Sequence, residues 1–275
     1  MDFRVNENRI FKDVNTVIKT FPDGFKVTRY HGKLKVREKG WEEHSDSDLS
    51  SLETQKLKIA TFGKSDKLEL SRIDNLQRTK SQVMDLVRCN LNDWKSFVTL
   101  TFKDNVTDLT YANRMFSNWT RSIRRVYPDF KYLGVPELQE RGAWHYHLFT
   151  NLVPGSTLCP HQSGKDNMYD VKYWHHGFSS VFDLNCTDVN FRADKYICKY
   201  MLKDYERAVL YGRNRFLRSN NLQEADKTSV CLSDSEFEAL KSHLLKDAKD
   251  VKEKTVISSN RYCPNFEIID IISEI

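Results

Sequence analysis

The sequence has few of the residues and motifs that mark several large classes of protein. Its 275 residues include only 10 glycines and 6 prolines, which excludes collagen-like and Gly/Pro-rich low-complexity chains. No run approaches the roughly 18–20 apolar residues that a membrane-spanning helix requires. Residues 1–11 have no apolar core of the kind that signal peptides contain, so we expect a cytoplasmic protein.

Cysteine pairs, nucleotide-binding loops and excess charge are also scarce. The six cysteines have irregular spacing and form no CxxC pair, so we expect free thiols in a reducing compartment. No GxxxxGK[ST] loop is present, so we expect no attached helicase of the P-loop type. There are 43 basic and 38 acidic residues, a net charge of +5. With so small an excess, the distribution of charge matters more than its total.

The chain has enough apolar residues for a folded core, at 39% hydrophobic and 12% aromatic. Local patterns predict helices at 68–92, 111–127, 193–209 and 234–250, strands at 97–102, 131–139, 144–152, 180–184 and 265–272, and a loop-rich insert at 153–177. The central part of this order predicts an α+β fold, a central antiparallel sheet with flanking helices. We expect an N-terminal basic accessory region (1–70), a central domain with a leading helix (71–220) and a C-terminal helical and strand extension (221–275).

Two segments concentrate positive charge. Residues 26–39 carry six basic residues and one acid, and their alternation predicts one or two short strands with a basic face. Residues 192–218 carry eight Lys or Arg and three acids, an excess typical of a surface beside a nucleic-acid backbone. In this second segment the candidate phosphate contacts are Lys203, Arg207, Arg213 and Arg215.

A candidate metal site lies in the predicted strand 144–152. Side chains alternate along a strand, so His145 and His147 point to one face and could bind one divalent ion. A three-residue turn at 140–142 with Gly142 in the left-handed position pairs Glu137 with His145 and adds a carboxylate to that face. A two-residue turn would shift the register and point Glu137 away. Two imidazoles and one carboxylate suit Mn²⁺ or Zn²⁺ by affinity and Mg²⁺ by abundance; we expect Mg²⁺ or Mn²⁺.

A candidate nucleophile lies on the predicted helix 193–209. At about 100° per residue its polar side chains share one face, and its apolar side chains share the other. The polar face carries Tyr196, Lys199, Tyr200, Lys203 and Arg207. Neighbouring cations stabilise a phenolate, which lowers a tyrosine pKa, and they attract phosphate. The placement of both tyrosines away from the apolar stripe favours a functional role over core packing.

These motifs together resemble the HUH endonucleases, and among them the rolling-circle replication initiators of filamentous phages and Gram-positive plasmids. The segment FVTLTF at 97–102 is similar to their first motif, ELQERGAWHYHLF at 137–149 to the metal-binding second motif, and YICKYMLK at 196–203 to the third, which carries the nucleophile. One departure is Tyr146, where the family has an aliphatic residue between the histidines. The resemblance covers roughly residues 95–220.

The resemblance implies an enzyme that cuts and rejoins single-stranded DNA at a replication origin. His145, His147 and Glu137 would hold the metal, Tyr196 or Tyr200 would form a 5′-phosphotyrosine link, and Lys199 would orient the phosphate. Residues 71–220 would then be the catalytic domain. Origin DNA, a host helicase and a host polymerase are the implied partners, in the cytoplasm of a bacterial host. Segment 26–39 is a candidate for origin recognition.

Other interpretations stay open from the sequence. A transposase or conjugative relaxase of the same superfamily would share the first chemical step, and a non-catalytic DNA-binding module would keep only the fold. Cys159, His161, His175 and His176 could bind structural zinc, although their spacing is not that of a standard zinc finger. His44 and Asp46 have the His-x-Asp spacing of iron oxygenases, but they lie in an acidic, Ser-rich stretch that lacks strand character.

Overall fold

The structure is a computed structural model. It describes residues 11–37, 78–155, 157–160, 168–184, 215–257 and 263–273. These residues fall into two compact units: one combines the segments before residue 63 and after residue 224, and the other lies between them. Within the described ranges, no helix is both long enough and apolar enough to cross a membrane.

The described elements are mostly antiparallel strands. In chain order they are β1 (Phe11–Phe21), β2 (Gly24–Arg37), α1 (described over 78–89), β3 (Ser96–Phe102), α2 (Leu109–Val126), β4 (Tyr132–Leu138), β5 (Trp144–Thr150), β6 (Leu158–Pro160), β7 (Met168–Val171), β8 (Gly177–Asp183), β9 (Leu217–Arg218), β10 (Asp226–Val230), α3 (Asp234–Leu244), β11 (Ala248–Val256) and β12 (Phe266–Ser273). This mixture of large antiparallel sheets and helices confirms the predicted α+β class.

The central unit is built on a seven-stranded sheet with the order β6-β7-β8-β3-β5-β4-β9. Neighbouring strands pair antiparallel, and β3 lies between β8 and β5. Pro136 is a residue typical of an edge strand or a bulge. It lies beyond Leu133 and Gly134, the two residues of β4 that pair with β9, so the missing N–H of proline removes no bond to that strand.

Helix α2 covers one face of this sheet. Asp108 caps it by accepting a hydrogen bond from the Thr110 backbone N–H at 2.8 Å. Its buried side chains recur at helical spacing and meet the apolar residues of β3 and β5. The helix ends before Pro128, which cannot continue it. Most of the largest fully buried residues, Trp119 and Tyr146 among them, lie in this core.

The opposite face of the sheet is covered in part by α1. Val83, Leu86 and Val87 of this helix form an apolar cluster with Phe97 of β3 and Phe149 of β5. Trp94 joins the cluster, and its indole N–H donates to the Val87 carbonyl at 3.1 Å. This cluster occupies one end of the sheet face. The candidate metal ligands lie next to this cluster on the same face of the sheet.

The second unit combines the two ends of the described chain in one five-stranded sheet, ordered β10-β1-β2-β12-β11. Strand β12 pairs antiparallel with β2, with Ile269 opposite Val27. Helix α3 packs on this sheet through Phe237, and a capping box between Ser233 and Glu236 starts the helix. From the sequence we expected residues 1–70 and 221–275 to be separate regions, and no sequence pattern indicated that their strands pair in one sheet.

Two sequence predictions of local structure are wrong. The insert 153–177, expected to be loop-rich, contains two unpredicted short strands, β6 and β7, which extend the sheet beyond β8. The helix expected over 234–250 ends at Leu244, and the following residues form β11. Strand β11 is charged and mostly exposed, so its pattern carries little strand signal; hydrogen bonding to the apolar strand β12 decides its conformation.

Candidate functional site

The hairpin between β4 and β5 has the register that the sequence predicts. Gly142 has φ = 87°, and its N–H donates to the Gln139 carbonyl at 2.9 Å. The Gln139 N–H donates to Ala143, which closes a three-residue turn. Glu137 is consequently the cross-strand partner of His145, and the predicted register is confirmed.

Two cross-strand rows on the α1 side of the sheet contain the three candidate ligands. Across strands β8, β3, β5 and β4, the first row is Phe178, Thr101, His145 and Glu137, and the second is Ser180, Thr99, His147 and Val135. Directly opposed side chains on one face have Cβ atoms about 5 Å apart. The two imidazoles and the carboxylate therefore lie within one small area of the sheet.

All three candidate ligands are buried: Glu137 is 4% exposed and each histidine 6%. The His147 Nε2 atom lies 2.6 Å from Glu137 Oε2, a short charge-assisted contact. At its other nitrogen, His147 Nδ1 lies 3.2 Å from the Thr99 hydroxyl. In the adjacent row, His145 Nδ1 lies 3.4 Å from the Thr101 hydroxyl. Hydroxyl contacts at Nδ1 orient both rings, the usual task of groups behind metal-binding histidines.

The Phe97 ring fixes His147 from a third direction. The two rings stack with centroids 6.0 Å apart and an interplanar angle of 15°. Phe97 itself is held edge-to-face by Phe149, with centroids 5.3 Å apart. The imidazole of His147 thus has a packed ring on one side, a hydroxyl at Nδ1 and a carboxylate at Nε2. Such confinement restricts its rotamers and keeps Nε2 directed toward Glu137.

The donor set fits a divalent cation in type and in register. Neutral imidazoles and a carboxylate are the ligands that Mn²⁺, Zn²⁺ and Fe²⁺ accept, and Mg²⁺ accepts the carboxylate most readily. Within the described ranges, however, no three His, Cys, Asp or Glu side chains already surround one point at metal-binding distances. A bound cation would replace the short contact between His147 and Glu137, since both atoms of that contact would become ligands.

Tyr146, between the two histidines, points to the opposite face and belongs to the α2 core. Its ring stacks on Phe116 with centroids 4.8 Å apart, and its hydroxyl donates to Asn113 Oδ1 at 2.8 Å. Burial raises the pKa of this phenol well above its usual value. Tyr146 therefore stays protonated and serves packing, which explains how an aromatic residue can take the place of the aliphatic one.

Most of the predicted nucleophile and DNA-binding residues lie outside the described residues. These are Tyr196, Lys199, Tyr200, Lys203, Arg207 and Arg213. Arg215 is described and half-exposed, just before β9. His44, Asp46 and His161 also lie outside. The roles assigned to all of these residues stay predictions.

Two of the remaining zinc candidates, Cys159 and His176, have other partners. The Cys159 thiol donates to the Asp170 carbonyl at 3.5 Å. His176 contacts the Trp174 ring with centroids 5.2 Å apart, and burial, with a smaller effect of His175, lowers its pKa. In the part of the chain that the structure describes, Cys159, His175 and His176 belong to no three-ligand metal group.

The prediction that segment 26–39 has a basic face is wrong for Arg29. Strand β2 is a single strand, and Arg29 within it is buried. Its guanidinium donates to Asp234 at 2.8 Å and to the Leu232 carbonyl at 3.0 Å, and lies over the Phe237 ring. Arg29 thus joins the sheet to α3. Lys26 alternates to the other face, where it is opposite Lys19, which in turn pairs with Lys227.

Sequence reasoning missed the side chains that support the site. Thr99 and Thr101 are recognisable in retrospect from the alternating TLT within FVTLTF, which points both hydroxyls to one face. The exposed phenylalanines of β8, which lie on the same face, gave no signal because the strand reads as an ordinary short β-strand.

Comparison with protein families links the central unit to DNA replication. Residues 95–205 match a family model described as a replication-associated protein of the ORF2 type. The matched stretch is about two-fifths of the chain and contains β3, α2, β4, β5 and most of the predicted helix 193–209, with both candidate tyrosines. Comparisons with curated proteins and with solved structures find no match. Over this stretch the chain is similar to replication-associated proteins, which agrees with a replication initiator.

Proposed function

We propose that the protein is a rolling-circle replication initiator: a metal-dependent endonuclease and strand transferase of the HUH type that nicks and rejoins single-stranded DNA at a replication origin. The observation that carries the proposal is the convergence of Glu137, His145 and His147 on one buried area of the sheet. This area lies within the stretch that matches replication-associated proteins. Mg²⁺ or Mn²⁺ is the proposed cofactor.

The residues around the site divide into ligands and supports. Glu137, His145 and His147 would hold the cation, while Thr99, Thr101 and Phe97 keep the imidazoles in place. A divalent cation in such a site would polarise a phosphate oxygen and offset the negative charge that develops on the phosphoryl oxygens. Burial strengthens that effect because the surroundings screen charge poorly.

The proposed nucleophile is a tyrosine of the predicted helix 193–209. The hydroxyl of Tyr196 or Tyr200 gives up its proton and attacks phosphorus, the bond from phosphorus to the 3′ oxygen breaks, and the leaving 3′ oxygen takes up a proton. The products are a 5′-phosphotyrosine and a free 3′-OH, which a polymerase can extend. Lys199 neutralises the phosphate. A second transfer from tyrosine to a 3′-OH rejoins the strand, and because the phosphotyrosine bond conserves the energy, no ATP is consumed.

DNA binding is proposed for two surfaces. Lys203, Arg207, Arg213 and Arg215 would contact phosphates without reading sequence. The second surface is the face of β2 that carries Lys26, which we propose for origin recognition. Arg29 is not part of this surface because its guanidinium binds Asp234 of α3.

An origin-cleavage assay tests the proposal. Labelled single-stranded origin DNA is incubated with the protein and Mn²⁺ or Mg²⁺ and resolved on a denaturing gel. A covalent adduct with wild type is expected. We expect Tyr196→Phe to lose the adduct, and Tyr200→Phe to cut but fail in strand transfer; the reverse pattern would exchange their roles. An adduct formed by the double Phe variant would exclude this helix as the source of the nucleophile.

The same assay separates the alternatives. A DNA-binding module without activity would retard the DNA and form no adduct. A transposase or relaxase of the same superfamily would form the adduct on a transposon end or a transfer origin and not on a replication origin. Each outcome therefore identifies one class.

A further inference from the structure

Strand β8 exposes two phenylalanine side chains beside the candidate metal site. Phe178 is 69% exposed and Phe182 45% exposed, while Val181 between them is fully buried in the α2 core. Alternation along the strand places Phe178, Ser180 and Phe182 on the α1 side of the sheet. This is the face that carries Glu137, His145 and His147.

The register puts the two rings in line with the site. Phe178 is in the same cross-strand row as His145, with Thr101 between them. Because neighbouring strands lie about 4.8 Å apart, Phe178 stands about 10 Å from the histidine strand. Phe182 lies four residues further along β8, about 13 Å from Phe178 at about 3.3 Å per residue. The pair thus flanks the site along one side.

The surroundings of this pair suit an unpaired, negatively charged polynucleotide. Lys95 and Lys103 lie at opposite ends of the neighbouring strand β3. The Lys95 carbonyl accepts from Leu184 N–H at 2.8 Å, next to the Phe182 end, and the Lys103 N–H donates to the His176 carbonyl at 2.9 Å, next to the Phe178 end. One lysine residue therefore adjoins each end of the phenylalanine pair, and Asp183 alternates to the other side of the sheet.

A cavity opens beside Phe178. Its volume is about 390 Å³, and Lys103, Asp104, Tyr111 and His176 are among the residues that line it. Ligand pockets of roughly this size and above are common in proteins, and a lining that combines an aromatic ring with a cation can hold one heteroaromatic base. Its position extends the β8 surface at the Phe178 end.

We infer that Phe178 and Phe182 form a stacking platform that holds bases of the single-stranded DNA next to the scissile phosphate, with Lys95 and Lys103 contacting the adjoining phosphates. Aromatic side chains bind single strands because every base has a π-face, and this binding tolerates sequence variation. Bases within a duplex already stack on one another, so the platform selects unpaired DNA. The inference rests on the proposed function, which supplies the scissile phosphate.

Binding measurements on the full chain test the platform. We expect Phe178→Ala and Phe182→Ala each to weaken binding of single-stranded origin DNA by roughly 5- to 150-fold, with thermal unfolding near that of wild type. The salt dependence of affinity should keep its slope because no phosphate contact is lost. Phe178→Tyr should bind as wild type. Val153→Ala, which shortens another exposed apolar side chain of the same unit, is the matched control and should change nothing.

A double-mutant cycle that combines a change in the protein with a change in the DNA tests the stacking contact directly. One abasic position at a time is introduced into the oligonucleotide, and each is measured with wild type and with Phe178→Ala. At the stacked position the two losses should not add, since both changes remove the same contact. Additive losses at every position would overturn the platform, and so would an equal loss of duplex binding. A change in self-association without a change in DNA affinity would overturn it as well.

The outcomes distinguish this inference from the proposed function. If wild type forms the covalent adduct and the alanine variants bind single strands normally, the platform is wrong and the proposed function stands. If the cycle shows coupling and wild type forms no adduct, the single-strand platform stands and the proposed function is wrong.

Discussion

The two faces of the seven-stranded sheet use the same strands for different purposes. On the α2 side, β3 and β5 contribute Leu100, Tyr146 and Leu148 to a continuous apolar core. On the α1 side, β5 contributes His145 and His147 and β3 contributes Thr99 and Thr101, and the described residues form an apolar cluster at one end of this face. Every residue of β5 is buried, so burial does not distinguish the faces. The alternation of side chains does, because it lets one stable core support a polar site directly behind it.

The two faces also differ in what stabilises them. The α2 face gains free energy from removing apolar and aromatic surface from water. The α1 face contains a buried carboxylate and a buried imidazole, whose removal from water costs free energy that their mutual contact offsets. We therefore expect changes on the first face to affect mainly stability, and changes on the second to affect mainly activity.

The largest expected effect is loss of activity from the histidine face. His145→Ala and His147→Ala should each reduce adduct formation below detection, because each removes one nitrogen ligand. His145→Ala is the cleaner variant, since His147→Ala also leaves the buried Glu137 carboxylate without its 2.6 Å contact. Circular dichroism verifies folding, and the denaturing gel measures the adduct. Normal nicking by the folded double variant would contradict the metal site.

The second effect is loss of stability from the α2 face. Trp119→Ala should lower the free energy of unfolding by about 3–5 kcal/mol, because a large, fully buried ring leaves a cavity. Urea denaturation measures the change. Val126→Ala on the same helix is the control, because Val126 is exposed and its loss should stay within about 0.5 kcal/mol. A smaller stability loss for Trp119→Ala than for His145→Ala would break the distinction between the faces.

A third, smaller effect concerns the support of His147. Thr99→Val keeps the shape and removes the hydroxyl 3.2 Å from Nδ1, so we expect roughly 10- to 100-fold weaker activation by metal. A Mn²⁺ titration of nicking measures it. Thr110→Val, an exposed threonine of α2, is the matched control. An unchanged titration for Thr99→Val would mean that Phe97 and Glu137 alone orient the ring.

The smallest expected effect is the loss of stability when the hydroxyl of Tyr146 is removed. Tyr146→Phe should cost about 1 kcal/mol by removing the hydrogen bond to Asn113, and should leave nicking unchanged. Folding raises the pKa of this phenol. The stabilisation that Tyr146 gives to the folded state is therefore complete below about pH 10, and it decreases at higher pH, where the phenol ionises in the unfolded chain. The free energy of unfolding, measured from pH 8 to 11, should therefore fall less steeply for the variant. Loss of nicking would assign Tyr146 a catalytic role.

The sequence predicted the register of the hairpin at the candidate site better than the fold around it. Gly142 determines a three-residue turn, and the turn determines which side chain faces His145, so local rules suffice there. The capped helix α2 follows from equally local signals. Strands β7 and β11 escaped prediction because they are short or charged and become strands only by pairing with neighbouring strands. The contact between His147 and Glu137 depends on the side-chain rotamers of both residues, and the spacing of residues in the sequence does not predict rotamers.

The five-stranded sheet has a consequence for how the protein is made. Arg29 of β2 pairs with Glu267 of β12, so this ladder joins residues more than two hundred positions apart. At about 5–20 residues per second, a ribosome needs about 10 to 50 s after finishing β2 to deliver its partner. During that interval β2 can pair only with its hairpin neighbour β1. The central unit, whose strands are close in sequence, can fold first, and closure of the terminal sheet then becomes a late, slow step of biosynthesis.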